Sequence, residues 1–194
     1  MIKIIAFTGK AGAGKTTAAK YLVGKHGYVR LRFADALKKM LRDGLGISDA
    51  YIDGSKKEEP CLELGGVTCR HAMRTLGTEW GRDLIHPDIW VNAFNRNLKE
   101  HVSEGLDKFV IDDLRFVNEA VYLESLRSIG YAVVIVDIDR VSRTVEESNH
   151  VSETQRSNIE PDHVIFNNYS IETLHDSIST VVGMYHGIFE GEKQ

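Results

Sequence analysis

Residues 9–16 read Gly9-Lys10-Ala11-Gly12-Ala13-Gly14-Lys15-Thr16, and this stretch decides the fold. It follows an almost continuous apolar run over residues 2–7, which is typical of a parallel strand buried on both faces. Residues 15–25 then place apolar side chains at helical spacing. The stretch fits the pattern GxxxxGK[ST] at every fixed position, between a strand and a helix, and therefore predicts a phosphate-binding loop rather than a chance glycine-rich turn.

Each residue type in this loop has a physical reason. Glycines allow the backbone to aim successive N–H groups into one concavity, and the helix that follows adds its free amides and the positive end of its dipole. Lys15 supplies a point charge for the β- and γ-phosphates of ATP, and Thr16 supplies a hydroxyl to Mg²⁺. The predicted nucleotide-binding residues of the loop are Gly9, Ala11, Gly12, Ala13, Gly14, Lys15, Thr16 and Thr17. The motif does not identify the acceptor.

A second chemical signal lies at the end of the apolar segment 108–114, where Asp112 and Asp113 are adjacent. In folds with a phosphate loop this strand lies beside the first one, so its acids reach the magnesium. We predict that Asp112 holds the metal and that Asp113 contacts or activates the acceptor. The alternative is an exposed turn after an edge strand. For Arg115 three interpretations stay open, namely contact with an acceptor phosphate, pairing with an acid, and plain solvation.

The rest of the chain alternates between strand and helix patterns, which predicts a three-layer α/β fold with a five-stranded, mostly parallel sheet and helices on both faces. Predicted strands cover 2–7, 28–33, 108–114, 131–138 and 163–166. Predicted helices cover 15–25, 35–45, 68–80, 87–101, 117–129 and a segment that begins after Ser170. Residues 46–66 are polar and contain glycine, so we predict a loop or mobile insertion there.

Composition limits the classes of function. The 194 residues suit one domain, and a net charge of −4 argues against a dedicated nucleic-acid binder. The sequence contains no apolar run of the roughly 18–20 residues that cross a bilayer, and its N-terminus lacks the pattern of a signal peptide. Cys61 and Cys69 form no zinc-ligand pattern and are expected to be reduced thiols of a cytosolic protein.

Three further segments resemble bacteriophage deoxynucleoside monophosphate kinases. They are Arg70-His71-Ala72-Met73-Arg74-Thr75-Leu76-Gly77-Thr78-Glu79-Trp80-Gly81-Arg82 with Asp88-Ile89-Trp90, then Ile111-Asp112-Asp113-Leu114-Arg115-Phe116-Val117-Asn118-Glu119-Ala120, and His150-Val151-Ser152-Glu153. The resemblance implies a P-loop kinase fold in a single domain over 1–194, with an acceptor-binding region at 46–104 and a lid-like segment at 140–160. It also implies ATP and Mg²⁺ at Lys15 and Thr16, and acceptor contacts at Arg70, Arg82, Trp90, Asp113 and Arg115.

The candidate acceptor site can also be argued from residue types. Arg70 and Arg74 share a helix face by their spacing of four, and guanidinium groups bind a 5′-phosphate in a bidentate manner. The alternative is a salt-bridged surface. Trp90 is equally consistent with stacking on the base of the acceptor and with packing as an anchor in the hydrophobic core. Arg74 and Asn149 depart from the family pattern. Two interpretations stay open, namely that these departures change which base is accepted and that they change only the protein surface. The predicted substrate-binding residues are Asp35, Lys38, Arg70, Arg74, Arg82, Trp90, Asp113, Arg115 and His150.

Arginines in the polar segment after residue 139 are the candidates for neutralising charge on the transferred phosphoryl group. We favour Arg143 over Arg140 because it lies deeper in the segment, against the alternative of a solvated charge. His150 is a phosphate contact or, more often for a lone histidine, a structural hydrogen-bonding group. Asn167, just past the last predicted strand, is a candidate adenine contact or a simple turn residue.

Together these features predict the reaction ATP + dNMP → ADP + dNDP, which serves DNA precursor synthesis, in the host cytoplasm if the chain is of phage origin. Alternatives are another small-molecule P-loop kinase, similar to dephospho-coenzyme A kinase, and a GTPase-like nucleotide-gated protein. The second lacks support because the sequence contains no NKxD motif. The intact lysine, threonine and acids argue against an inactive homologue. The base preference and the oligomeric state stay open, although folds of this type are often homodimers.

Overall fold

The computed structural model describes residues 1–140, 155–156 and 158–190. The chain divides into two compact units. The first unit comprises Met1–Arg32 and His101–Gln194, and the second comprises Phe33–Glu100. The predicted acceptor-binding region at 46–104 falls mostly within the second unit.

A five-stranded sheet forms the centre of the first unit. Its strands are β1 Lys3–Thr8, β2 Val29–Arg30, β3 Lys108–Ile111, β4 Ala132–Asp139 and β5 His163–Phe166. They are arranged in the order β2-β3-β1-β4-β5, and all four pairings are parallel. Because all strands run the same way, their carboxyl ends meet at one edge of the sheet, which is where ligands bind in open α/β sheets. The phosphate loop follows β1 and Asp112 follows β3 at this edge.

The described helices are α1 Lys15–His26, α2 Asp35–Lys39, α3 Asp49–Ile52, α4 Cys69–Thr75, α5 Ile89–Ser103, α6 Val117–Arg127 and α7 Ile171–Glu190. In the first unit, α1 and α7 pack on one sheet face, where alternate residues of β4 such as Val134 and Val136 join Leu22 and Ile178 in one core. α6 contacts β4 and buries Leu123 on the other side. Both faces are therefore covered, as predicted.

The second unit corrects one prediction, because residues 46–66 are not an open loop. They contain α3 and two short 3₁₀ turns, Ser55–Glu58 and Leu62–Leu64. Ile47, Ile52 and Cys61 are at most 1% exposed and pack with Leu41 in a small core. The polar composition concealed this core because the buried residues occur singly, without the period of a helix or a strand.

Two helices of the second unit extend into wider turns. α2 continues as a π-helical turn over Met40–Gly44, and α4 continues as a π-helical segment over Leu76–Ile85. Thr68 caps α4 by accepting a hydrogen bond of 3.2 Å from the backbone N–H of His71. In the parts of the chain that the structure describes, every helix is too short or too polar to cross a bilayer.

Candidate active site

Three glycines of the phosphate loop, Gly9, Gly12 and Gly14, have a positive φ, and Gly9 and Gly14 also have close neighbours. Gly9 has φ 137° and Gly14 has φ 111°, both in the left-handed region. A Cβ atom on Gly9 would lie 2.3 Å from the carbonyl oxygen of Ile138, and one on Gly14 would lie 2.5 Å from Nδ2 of Asn167. The loop is therefore fitted closely against β4 and the segment after β5, and side chains at these glycines would displace it.

Lys15 begins α1 and is buried, with 8% of its surface exposed. Its Nζ donates to the carbonyl oxygens of Gly9, at 2.5 Å, and Lys10, at 2.7 Å. The ammonium is thus held against the loop backbone rather than extended into solvent. A positive charge in this position is suited to phosphate oxygens that enter the loop.

Thr16 and Asp112 meet at the carboxyl edge of the sheet, as the sequence predicted from the two motifs. The Thr16 hydroxyl donates to Oδ2 of Asp112 at 2.9 Å, and Asp112 is only 5% exposed. A hydroxyl and a carboxylate are hard oxygen ligands of the type that Mg²⁺ prefers. The residues at this point therefore fit a magnesium ion.

Arg30 is a site residue that the sequence did not reveal. Its Nε donates to Oδ1 of Asp112 at 2.9 Å and its Nη2 donates to Oδ2 at 2.5 Å, a bidentate pair. In the sequence, Arg30 is one of the polar residues that alternate with apolar ones along a predicted strand, and nothing else distinguishes it. The signal that could have identified it is the strand order, since β2 pairs with β3 and therefore ends beside Asp112.

Asp137 and Arg156 form a second unpredicted group beside the phosphate loop. Asp137 pairs with Thr8 in the register of β4 with β1, and Nη1 of Arg156 lies 3.6 Å from its Oδ1. Burial raises the pKa of the Asp137 carboxyl above its ordinary value, and this effect exceeds the opposing attraction to Arg156 and Lys15. The negative charge of Asp139 also raises this pKa, and the two cations only partly offset these effects.

Asn167 lies after β5 and touches the loop directly. Its Nδ2 donates to the carbonyl oxygen of Ala13 at 2.7 Å. This bond ties the loop to the end of the sheet and gives Asn167 a positioning role. A contact between Asn167 and adenine stays a prediction.

The segment after β3 is fixed by Glu119, a buried acid in the first turn of α6. Its Oε2 accepts hydrogen bonds from the backbone N–H groups of Arg115, at 2.9 Å, and Phe116, at 3.1 Å. Asp113 is partly buried and the Arg115 side chain is exposed. The turn that carries both predicted acceptor residues is therefore anchored by a carboxylate that is 2% exposed.

In the second unit, the predicted acceptor arginines have different surroundings. Arg70 and Arg74 are exposed, and Nε of Arg70 pairs with Glu58. Arg82 is partly buried and donates from Nη1 to the carbonyl oxygen of Gly77 at 2.8 Å. Their role in binding an acceptor stays a prediction.

Trp90 lies in the core of the second unit, with 2% of its surface exposed. Its indole N–H donates to the carbonyl oxygen of Gly77 at 2.7 Å. The ring lies so close to Gly81 that a Cβ atom there would be 2.7 Å from it. Of the two interpretations left open by the sequence, this packing supports the core anchor.

The positions of the remaining predicted substrate-binding residues do not bear on their predicted role. Asp35 is in the first turn of α2, and Nζ of Lys38 pairs with Oδ1 of Asp53 at 2.7 Å. Arg143 and His150, with most of the predicted lid-like segment at 140–160, lie outside the described residues.

The sequence is similar to one family of known proteins. The family model described as deoxynucleotide monophosphate kinase matches residues 55–178. A protein of Acanthamoeba polyphaga mimivirus whose name includes deoxynucleotide monophosphate kinase is 33% identical over 190 residues, which cover 92% of this chain and 95% of that protein. The deoxynucleotide monophosphate kinase of Escherichia phage RB69 is 30% identical over 58% of this chain and 44% of its own length.

Solved structures agree with the predicted fold. TT1252 from Thermus thermophilus gives a TM-score of 0.53 at 19% identity, over 94% of this chain and 97% of that one. Dephospho-CoA kinase from Campylobacter jejuni gives a TM-score of 0.52 at 11% identity, over 96% and 99% of the two chains. At these identities the likeness concerns the fold alone, and it confirms an α/β fold of the P-loop kinase type.

Proposed function

Because the chain belongs to the deoxynucleotide monophosphate kinase family, we propose that it transfers the γ-phosphoryl group of ATP to a deoxynucleoside 5′-monophosphate, giving ADP and the diphosphate. The family match supports the choice of acceptor, and the structural observation that supports the nucleotide and metal half of the proposal is the hydrogen bond of 2.9 Å between Thr16 and Asp112. It joins the first residues of α1 to the end of β3, beside a lysine-bearing phosphate loop.

The first unit is proposed to hold the nucleotide. Backbone N–H groups of residues 9–16 and the Lys15 ammonium bind the β- and γ-phosphates, and Thr16 and Asp112 would hold Mg²⁺. When bound, Mg²⁺ neutralises negative charge on these phosphates. Asn167 keeps the loop in place through the carbonyl of Ala13.

The acceptor is proposed to bind through the acidic and basic residues that the family resemblance names. Asp113 orients the acceptor, and Arg115 contacts its phosphate from the turn that Glu119 anchors. In the second unit, Arg70 and Arg82 are the candidates for the 5′-phosphate that the resemblance names, and Arg74 is a candidate from its residue type, because guanidinium groups match phosphate oxygens in pairs. Alignment of the two phosphates and neutralisation of charge then supply most of the rate.

The dephospho-CoA kinase alternative has weaker support. It rests on a structural likeness at 11% identity, whereas both curated relatives bear the name deoxynucleotide monophosphate kinase.

A screen of acceptors tests the proposal. Purified protein is mixed with ATP and Mg²⁺, and ADP release is followed for each common dNMP and NMP and for dephospho-CoA. We expect at least one dNMP to give the fastest release, and Lys15→Ala, purified in parallel, to show none. ADP release that no dNMP accelerates, or that dephospho-CoA accelerates most, would overturn the proposal.

A further inference from the structure

Arg30 and Asp112 form a bidentate ion pair at the candidate metal site, and this pair has no place in the mechanism so far. We propose that Arg30 is a positioning residue that balances the charge of Asp112, so that the site accepts Mg²⁺ together with a nucleotide but hardly binds Mg²⁺ alone. This inference rests on the proposed function in one respect, the assignment of Asp112 to Mg²⁺.

Three hydrogen bonds from two side chains fix the Asp112 carboxylate. Oδ1 accepts from Nε of Arg30 at 2.9 Å, and Oδ2 accepts from Nη2 of Arg30 at 2.5 Å and from the Thr16 hydroxyl at 2.9 Å. The planar guanidinium therefore sets the plane of the carboxylate. The same contacts place a full positive charge next to the oxygens that would meet the metal.

The fold encloses the carboxylate and leaves the guanidinium partly exposed. Arg30 is opposite Val110 in the pairing of β2 with β3, and Leu31 donates from its N–H to the Val110 carbonyl at 3.0 Å. The Asp112 side chain is 2% exposed, whereas that of Arg30 is 29% exposed. The strand pairing therefore holds the backbone of Arg30 beside β3, and its charge lies against a carboxylate that has little access to water.

Burial explains why the charge of Arg30 matters. A carboxylate that has lost most of its water binds a nearby cation strongly unless another cation is already beside it. Lys15, a basic group of the loop itself, bonds to two loop carbonyls. Arg30 is the bidentate partner of Asp112, and we expect it to weaken the attraction of the carboxylate for a free divalent ion. Triphosphate oxygens restore that attraction because they bring negative charge with the metal.

The test compares two substitutions of Arg30 in the full-length protein, with Mg²⁺ alone as the probe and no nucleotide present. Arg30→Gln removes the charge and keeps a hydrogen-bond donor, and Arg30→Lys keeps the charge without the fork. Binding is measured by calorimetry and by the Mg²⁺-dependent shift of the thermal midpoint. We expect Arg30→Gln to bind Mg²⁺ at least about tenfold more tightly than wild type, and Arg30→Lys to resemble wild type.

A double variant locates the effect. Adding Asp112→Asn to Arg30→Gln should remove the gained affinity, because the gain depends on the uncompensated carboxylate. The proposal is overturned if Arg30→Gln and wild type bind Mg²⁺ equally, if the gain survives Asp112→Asn, or if wild type itself binds Mg²⁺ alone with submillimolar affinity. The measurement of Mg²⁺ affinity on the wild-type protein needs no variant, so it does not depend on whether Arg30→Gln folds.

These outcomes are separable from the proposed function. Calorimetry with Mg²⁺ uses no acceptor, and the acceptor screen uses only wild-type protein and Lys15→Ala. If the protein phosphorylates a dNMP but wild type and Arg30→Gln bind Mg²⁺ equally, the proposed function stands and the proposed role of Arg30 fails. If no dNMP is phosphorylated but Arg30→Gln binds Mg²⁺ more tightly than wild type, the role of Arg30 stands and the proposed kinase activity fails.

Discussion

The two units hold their candidate residues in different ways. In the first unit two pairs of partners are far apart in sequence, since Thr16 and Asp112 are separated by 96 positions and Asn167 and Ala13 by 154. In the second unit Arg82 is only 5 positions from Gly77, and Arg70 is 12 positions from Glu58. The parallel sheet thus assembles the first group, whereas local turns hold the second. Substitutions in the first unit should therefore impair chemistry, and those in the second should alter binding or packing.

Lys15→Ala should give the largest effect. Removing the ammonium takes away the point charge for the phosphates, and we expect kcat to fall by about 10³-fold or more. Folding should survive, because the bonds lost are side-chain hydrogen bonds to two loop carbonyls. ADP release and a thermal melt measure the two properties.

Lys20→Ala is the matched control for Lys15→Ala, since Lys20 is an exposed lysine of the same helix. It should leave kcat unchanged. Near-normal turnover by Lys15→Ala would contradict the proposed binding of phosphates by Lys15. It would also contradict the expectation that substitutions in the first unit impair chemistry.

Arg82→Ala should raise the acceptor KM by about tenfold or more while the ATP KM changes by about twofold or less. The structure adds that the thermal midpoint should fall, because the bond from Arg82 to the Gly77 carbonyl is lost. Steady-state kinetics with each substrate varied in turn provide the measurement.

Arg42→Ala serves as the control for Arg82→Ala, since Arg42 belongs to the same unit and pairs with Asp49 at the surface. Neither KM should respond to it. Equal changes in both KM values for Arg82→Ala would indicate general damage to the second unit rather than an acceptor contact.

The same contrast explains what the sequence could predict. The order of strands and helices follows from periodicity and was predicted correctly. The phosphate loop and the acids after β3 are local patterns, so the sequence could place them at the ends of β1 and β3, and their roles stay predictions. Arg30 and Asp137 were missed because their importance depends on which strand lies beside which. The core around Ile52 was missed because its residues come from several short turns. Trp90 could not be placed, since a tryptophan on a helix suits a core and a base equally.

Trp90→Phe should reduce stability more than it alters catalysis. The indole N–H no longer bonds to the Gly77 carbonyl, which costs about 1 kcal/mol of unfolding free energy, and the smaller ring leaves part of the pocket empty. The relative kcat/KM values for different dNMPs should stay the same. Urea denaturation and the acceptor screen measure the two quantities.

Trp80→Phe is the matched control for Trp90→Phe, because Trp80 is 37% exposed in the same unit. It should change stability by about 0.5 kcal/mol or less. A changed base preference with unaltered stability in Trp90→Phe would favour a base stack and contradict the core anchor.

Asp137→Asn should give the smallest effect, and the size of this effect depends on pH. Burial raises the pKa of the Asp137 carboxyl above its ordinary 3.8, so the folded protein favours the protonated form more than the unfolded chain does. The stabilising contribution of this carboxyl is therefore complete below its unfolded pKa and is lost as pH rises through the folded value. Asn imitates the protonated form at every pH.

We therefore expect Asp137→Asn to raise the thermal midpoint by about 2 °C at neutral pH, with the gain shrinking as pH falls through the raised folded pKa toward the ordinary 3.8. Asp43→Asn, which affects a surface pair with Lys39, should change the midpoint little at any pH. A lower midpoint for Asp137→Asn at neutral pH would mean that attraction to Arg156 outweighs the cost of burial. The first unit would then hold its acids beside the phosphate loop by charge pairing alone, as it holds Asp112 with Arg30.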